Sequence, residues 1–524
     1  MTGRTATRLC AAAFGLVAVA CTGPAPPVSS SLDPPEAAHD GPVEEPAEPN
    51  ETGTSVDAVP KPTDPPDVTA SSSPSSSVVP VDGGPSDEMR AIDVEWVATM
   101  SGPSNNDEFD GVAVGLDGSV FVTGQFVEST TIAGIDFVSR GKADIPFARF
   151  DDEGELLWAA SFGGIGEDNF FDVDADDAGV IATGYFEGVV EFGDVTIEAA
   201  GDTDCVVASF GNDGDVNWVS TFGGVGPDGC NEVTIAADGS IVTSVDTVGG
   251  WTVDGVDLSS VDVRDTVLLQ LDRSGRLDWA RAVGGPGTQR GKSIGVGAGG
   301  MIVFGGDTRG DLLIADSVIE RPGRGFDAWL SAWTPQGELL WTQTWGGPGD
   351  DLSKGVAVSD DRVYAIGPFE REMSVGDTVL SSRGGIDLAV IGFDMAGDVE
   401  WATTIGAEAN LPGAEVILSG SGGVIVPGTP LDGVTFSSAD GSIADVDTTG
   451  AATAWIAEYD AEGNVVAVAP IPGTLDANAS EIDRYGDRLL VDMVIRGIGN
   501  TTPGGTLDTD GKDASIWSLR WPDR

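Results

Sequence analysis

Phe150-Asp151-Asp152-Glu153-Gly154-Glu155-Leu156-Leu157-Trp158 is a text the chain writes again at Leu271-Asp272-Arg273-Ser274-Gly275-Arg276-Leu277-Asp278-Trp279. It returns once more at Phe393-Asp394-Met395-Ala396-Gly397-Asp398-Val399-Glu400-Trp401. Each time an apolar run stops at Asp, turns through Gly and resumes toward Trp. Asp and Gly between β-branched and aromatic runs make an antiparallel hairpin. Tryptophans in this position are Trp96, Trp158, Trp218, Trp279, Trp341 and Trp401, spaced by 60 to 62 residues. Strand-like text at such a period signals a propeller or a solenoid.

Inside one period there are four strand-like runs, at 171–174, 180–185, 205–210 and 215–222. Turns at Asp176-Asp177-Ala178-Gly179 and Asn212-Asp213-Gly214 join the first pair and the last pair. Four antiparallel strands per repeat describe a propeller blade, and no stretch carries an apolar period of the helical kind. The third strand occurs seven times, at Phe147, Val207, Leu268, Trp329, Ala389, Trp455 and Trp517. The fourth strand follows the six tryptophans and, in degenerate form, Val466. Yet the first fourth strand precedes any complete unit, and the last third strand has no successor. The mismatch predicts an all-β, seven-bladed β-propeller over residues 91–524, its last blade closed by the N-terminal strand. Closure of that kind removes the open sheet edges that invite aggregation.

Gly163-Gly164-Ile165-Gly166-Glu167-Asp168, followed by Thr183-Gly184-Tyr185-Phe186, Asp204-Cys205-Val206-Val207-Ala208 and Trp218, resembles the SBBP repeat. That is a seven-bladed β-propeller repeat of bacterial surface proteins. Related blocks are Gly223-Gly224-Val225-Gly226-Pro227-Asp228 and Gly346-Gly347-Pro348-Gly349-Asp350-Asp351. The likeness fades after Trp401, where Ile405-Gly406-Ala407-Glu408 lacks the double Gly. It implies an extracytoplasmic propeller; the family has no single assigned activity.

The N-terminus reads as an address. Arg4 and Arg8 precede an apolar stretch from Leu9 to Val19, too short to span a bilayer and suited to a secretory signal. Ala18-Val19-Ala20-Cys21 resembles the bacterial lipoprotein box. Residues 1–20 are therefore expected to be a lipoprotein signal peptide, with Cys21 lipidated and anchored in the outer membrane or at the cell surface. Residues 21–90 hold 15 of the chain's 30 prolines. From Thr22 to Arg90 there are 13 acidic residues against Lys61 and Arg90. Such a composition is expected to stay disordered and act as an extended spacer.

Composition narrows the function. With 85 Asp+Glu against 26 Lys+Arg the net charge is -59, which excludes nucleic acid as a natural partner. The single His, His39, lies in the spacer, so no His-based triad is expected in the folded part. About −50 of the charge resides in residues 91–524, since the signal carries two positive charges and the spacer a net eleven negative ones. Self-repulsion of that size is relieved by salt. The melting temperature is expected to rise between about 10 and about 500 mM NaCl, and an unchanged or falling value contradicts this.

Cys205 begins a third strand and Cys230 follows the fourth strand of the same blade. Both lie toward one face, and an export compartment permits a disulfide between them; the alternative is two buried thiols. Asp144, Asp204, Asp265, Asp327, Asp387 and Asp513 recur just before the third strands. They read as acceptors for backbone N–H groups of their own loops, or else as an acidic ring. Asp168, Asp228, Asp350 and Asp351, in the Gly-Gly blocks, mark the candidate binding face. Asp172-Val173-Asp174-Ala175-Asp176-Asp177-Ala178-Gly179 imitates an EF-hand start without its twelfth-position Glu, so no metal and no cofactor is expected. The tryptophans read as packing between blades.

Three functions fit. The first is a binding or scaffold module, monomeric, displaying loops to a protein or glycan ligand. The second is a glycan-active enzyme with paired carboxylates. The third is an envelope-structural protein without a dedicated ligand. Neither a catalytic residue nor the ligand is named by the sequence.

Overall fold

The computed structural model describes residues 92–521, apart from 105–106, 254–255, 258–262, 409, 414, 430–432, 447–453, 472–476 and 503–504. The signal, Cys21 and spacer expectations lie outside the described residues. Every regular element described is a β-strand, and every strand pairing is antiparallel. The architecture is all-β and propeller-like.

Of the 36 described strands, eight short ones form hairpins beside the others, such as Val189–Phe192 with Val195–Glu198, and 28 fall into groups of four. One runs Glu108–Val114, Val120–Ile132, Ile135–Phe150, Leu156–Gly164. The next runs Asn169–Asp176, Gly179–Phe186, Asp204–Phe210, Val216–Phe222. Then come Gly229–Ile235, Ile241–Thr247, Asp265–Leu271 and Leu277–Gly284. These are followed by Gln289–Val296, Ile302–Thr308, Asp327–Trp333 and Leu339–Trp345. After them come Gly355–Val358, Arg362–Val375, Thr378–Asp394 and Val399–Gly406. The group after that is Ile417–Leu418, Val424–Gly428, Trp455–Tyr459 and Val465–Pro470. Finally, Ala477–Tyr485, Arg488–Thr502 and Gly505–Arg520 are completed by Asp93–Ser101 from the far end of the chain. Val97 lies opposite Trp517 and Met100 opposite Ala514.

The repeated text explains how neighbouring groups lock together. Asp151 Oδ1 accepts the backbone N–H groups of Glu153 and Glu155 at 3.1 and 2.8 Å, closing the turn from within. Gly154 in that turn has a φ of 84°, a left-handed value that glycine adopts without strain. A Cβ there would also lie 2.6 Å from the ring of Trp96. The Trp96 indole N–H donates to Asp152 O at 3.1 Å. The same device recurs as Trp158 on Asn212 O, Trp218 on Arg273 O, Trp279 on Pro335 O, Trp341 on Met395 O and Trp401 on Ala461 O. Each Trp on a fourth strand thus docks on the last turn of the following group.

Ala467, one residue beyond the expected Val466, stands where a Trp is missing, since it lies opposite Glu458 as Trp401 lies opposite Gly392, and the topology supplies the reason. The group after it has no turn between third and fourth strands, because one ends at Arg520 and the other begins at Asp93. Among the described residues, no such turn offers a carbonyl to an indole there. Trp521 occupies that joint instead, donating to Glu458 Oε2 at 3.0 Å.

The hydrophobic cores lie between groups rather than within them. Phe147 and Phe162 meet Phe170 and Phe210 of the next group; Leu268 and Val283 meet Phe304 and Trp329. Met100, Phe109 and Val120 share one cluster with Leu490, Ala514 and Ile516, from the other end of the chain. Fully burying a side chain of this size contributes about 1.5–3 kcal/mol. The first strands neighbour each other in chain order, and Ala477–Tyr485 neighbours Glu108–Val114.

Candidate functional site

The Gly-Gly blocks form the face where third strands begin. Asp168 Oδ2 accepts Gly164 N at 2.7 Å and its Oδ1 accepts Glu187 N at 3.1 Å. Asp228 repeats this with Gly224 N at 2.6 Å and Val248 N at 3.3 Å, and Asp351 with Gly347 N at 2.6 Å. All three are buried, at 0 to 2 % exposure. They shape the loops from inside; Asp350 alone of the four is exposed. Its Oδ1 accepts Phe326 N at 2.9 Å.

The Asp before each third strand works similarly. Asp144 accepts Arg140 N, Asp204 accepts Ala200 N and Asp387 accepts Arg383 N, at 3.1, 2.8 and 2.7 Å. Asp265 and Asp327 are buried too, while the Asp513 side chain lies outside the described residues. The first Gly of each block leaves room for that carboxylate: a Cβ on Gly163, Gly223 or Gly346 would meet Asp144, Asp204 or Asp327 at 2.4, 2.6 and 2.0 Å. Two carboxylates therefore crowd each such joint. Burial, with the neighbouring Asp adding to it, pushes Asp168 up to about 6 and Asp351 up to about 7.

Cys205 and Cys230, 25 positions apart in the sequence, are joined as a disulfide with Cα atoms 4.9 Å apart. Cys230 lies on the first strand of the next group, so the bond staples two groups together. Replacing both by Ser is expected to cost about 3 kcal/mol. The guanidinium chloride midpoint reads this, and an unchanged midpoint sinks it.

The carboxylates that sequence reasoning did not single out lie on the first strands. Register shifts between Phe109 and Gly111, Phe170 and Asp172, Cys230 and Val233, Gly291 and Ser293, and Ala479 and Ile482 insert extra residues there. Such bulges re-aim side chains, and Asp110, Glu232, Lys292 and Glu481 are the residues they re-aim on the adjoining first strands. Burial raises Glu232 well above the carboxylate range, and Glu415, Asp172 and Glu481 add to it while Lys354 opposes. Groups far apart in sequence thus act on one another here. Burial likewise carries Asp110 up to about 6, Asp483 up to about 7 and Glu415 up to about 8.

Part of this cluster is structural. Asp172 Oδ2 accepts Val233 N at 2.7 Å and Asp174 Oδ2 accepts Ile235 N at 2.6 Å, each crossing to the neighbouring first strand. Asp483 Oδ2 accepts Val114 N at 2.8 Å, joining the last group to the first in chain order. The EF-hand imitation is spent in this way, with Asp176 also paired to Arg273. Among the described residues no group of carboxylates, Cys or His has the geometry to hold a metal. A cleft of about 460 Å³ opens beside Asp174, Asp176, Asp177, Asp238 and Arg273, on the face opposite the Gly-Gly blocks.

No family model and no curated protein matches the chain. Among solved structures it is similar to a protein of unknown function from Dyadobacter fermentans, at 10% identity and a TM-score of 0.35, covering 82% of this chain and 99% of that one. It is also similar to an inactive variant of virginiamycin B lyase from Staphylococcus aureus with quinupristin, at 10% identity and 0.33, with 82% and 99% covered. A luciferin-regenerating enzyme is similar at 8% identity and 0.31, with 81% and 95% covered. The functional reading below rests on the residues of this chain alone.

Proposed function

We propose that the four-stranded groups are the blades of a closed seven-bladed propeller, of the SBBP kind, serving as a binding module at the bacterial cell envelope. The closed ring is supported by the core shared between Met100, Phe109 and Ile516 and by the Asp483–Val114 hydrogen bond. Anchoring through lipidated Cys21, with residues 22–90 as spacer, belongs to the same proposal. Replacing Cys21 by Ala is expected to release the protein from membranes into the soluble fraction.

One observation carries the binding role: Glu232, Glu415, Glu481 and Asp172 converge with Lys354 where the first strands adjoin, although the fold needs no such meeting of like charges. Rigid scaffolds present ligand-contacting groups in this way. Full-length protein is to be assayed on a glycan array and against solubilised envelope proteins. Binding that Lys354→Met and Glu415→Gln abolish supports the reading; binding indifferent to both overturns it. The raised carboxyls favour one second reading, a glycan-cleaving enzyme that uses a protonated carboxyl as acid. Release of reducing ends from a bound glycan, lost in Glu415→Gln, would select it.

A further inference from the structure

We infer that the rim around Phe326 binds a compact oxyanion, a small molecule bearing carboxylate or phosphate groups. This rests on the binding-module reading and names the ligand class for one sector of it. The Phe326 ring carries Arg290 and Arg309 together, their guanidinium carbons 4.2 and 4.3 Å from its centroid. Arg290 Nε donates to the fully buried Asp307 at 2.6 Å, which fixes the guanidinium on the ring. Arg321 donates to the carbonyls of Arg324 and Gly325 at 3.3 and 2.8 Å. That holds the loop which presents the exposed Arg324. Lys292 lies within range of the charges of Lys354 and Arg290 as well as of Asp246 and Asp307. Arg264 stands 3.9 Å from Asp246.

This gathering runs against composition. The chain has 26 Lys+Arg against 85 Asp+Glu, yet Arg264, Arg290 and Lys292 gather about the buried Asp246 and Asp307, and Arg309 stands 3.9 Å from Asp350. Cations brought together cost free energy unless an anion meets them. Guanidinium groups laid on an aromatic face keep their N–H edges outward, and those edges match the two oxygens of a carboxylate or phosphate. The surroundings set the ligand's size. Glu320, Glu370 and Glu372 flank the sector along the chain, and screening confines its attraction to about 8 Å at physiological salt. A long polyanion leaves the patch and meets repulsion, whereas a compact anion does not.

Titration calorimetry on the full chain, at about 20 mM NaCl to limit screening, is to use sodium citrate and sodium phosphate as separate probes. Dextran sulfate serves as the long polyanion. Saturable binding of citrate or phosphate is expected, and which of the two binds tells carboxylate from phosphate. Arg309→Gln and Arg324→Gln are each expected to weaken it about tenfold, with partial recovery in Arg309→Lys. Arg276→Gln, on the opposite face, is expected to bind as the parent does. Absence of saturable heat with both probes overturns the site, as does an equal loss in Arg276→Gln or tighter binding of dextran sulfate. A glycan or protein that binds while citrate and phosphate do not removes this inference and leaves the binding module standing.

Discussion

The folded chain is expected to melt at a higher temperature at about pH 5.5 than at about pH 8. Burial holds Asp483 and Asp351 up at about 7, and Asp110, Asp168, Asp174 and Asp327 up at about 6. In the unfolded chain all six return to roughly 4. Between those limits the native state binds protons that the unfolded state does not, so stability falls as pH rises through the native values. Each extra bound proton changes stability by about 1.4 kcal/mol per pH unit. Asp110, Asp174 and Asp483 keep part of their exposure, and a net of two protons is a discounted figure that still gives about 3 kcal/mol per unit. The large negative charge acts in the same direction, because protonation relieves repulsion. Glu95 sets an opposing acid limb. Burial raises its pKa, but Arg520 and Arg488 outweigh that and hold it below the ordinary value. Its contribution is present above the carboxylate range and is lost as pH falls through its native value. Calorimetric scans across this window check the balance; a melting temperature that climbs steadily from about pH 5.5 to about pH 8 rules out the burial of these carboxylates.

The repeat was legible because its turns are chemically demanding. A left-handed Gly, an Asp closing the turn and a Trp reaching the next turn allow few substitutes, so Gly154, Asp151 and Trp96 are written almost unchanged in group after group. The Asp of each Gly-Gly block was equally visible, but visibility suggested a displayed carboxylate where Asp168, Asp228 and Asp351 are loop-shaping acceptors. Recurrence reports a constraint, and the constraint here is a set of buried backbone N–H groups that require partners. The positions on and beside the first strands were hidden for the opposite reason. Asp110, Phe171, Glu232, Lys292, Lys354, Glu415 and Glu481 follow one another at 60 to 66 residues, a repeat of position without a repeat of type. Nothing in the backbone dictates that residue, so its type changes among Asp, Phe, Glu and Lys along the chain, and a search for similar text passes over them. Function tends to occupy such positions, because a scaffold already satisfied elsewhere leaves them free to vary.

Met100→Ala is expected to destabilise the whole folded region by about 2–5 kcal/mol while keeping a single unfolding transition. Met100 is fully buried and belongs to Asp93–Ser101, the strand that completes the last group from the opposite chain end. Its neighbours come from both ends of the chain, Phe109 and Val122 on one side, Leu490 and Ile516 on the other. Removing the side chain leaves a cavity at that joint. In an open array the terminal strand supports only its own group; its weakening would fray one end and give an early, separate transition. In a closed ring every group has two neighbours, and the loss is shared, because a sheet with an unsupported face exposes apolar surface on both sides of the gap. Urea unfolding followed by tryptophan fluorescence and by far-ultraviolet dichroism separates the two cases. Coincident transitions with a lowered midpoint fit the ring, whereas an early phase carrying about one-seventh of the amplitude, as additive repeat units predict, means that the two ends of the chain do not support each other.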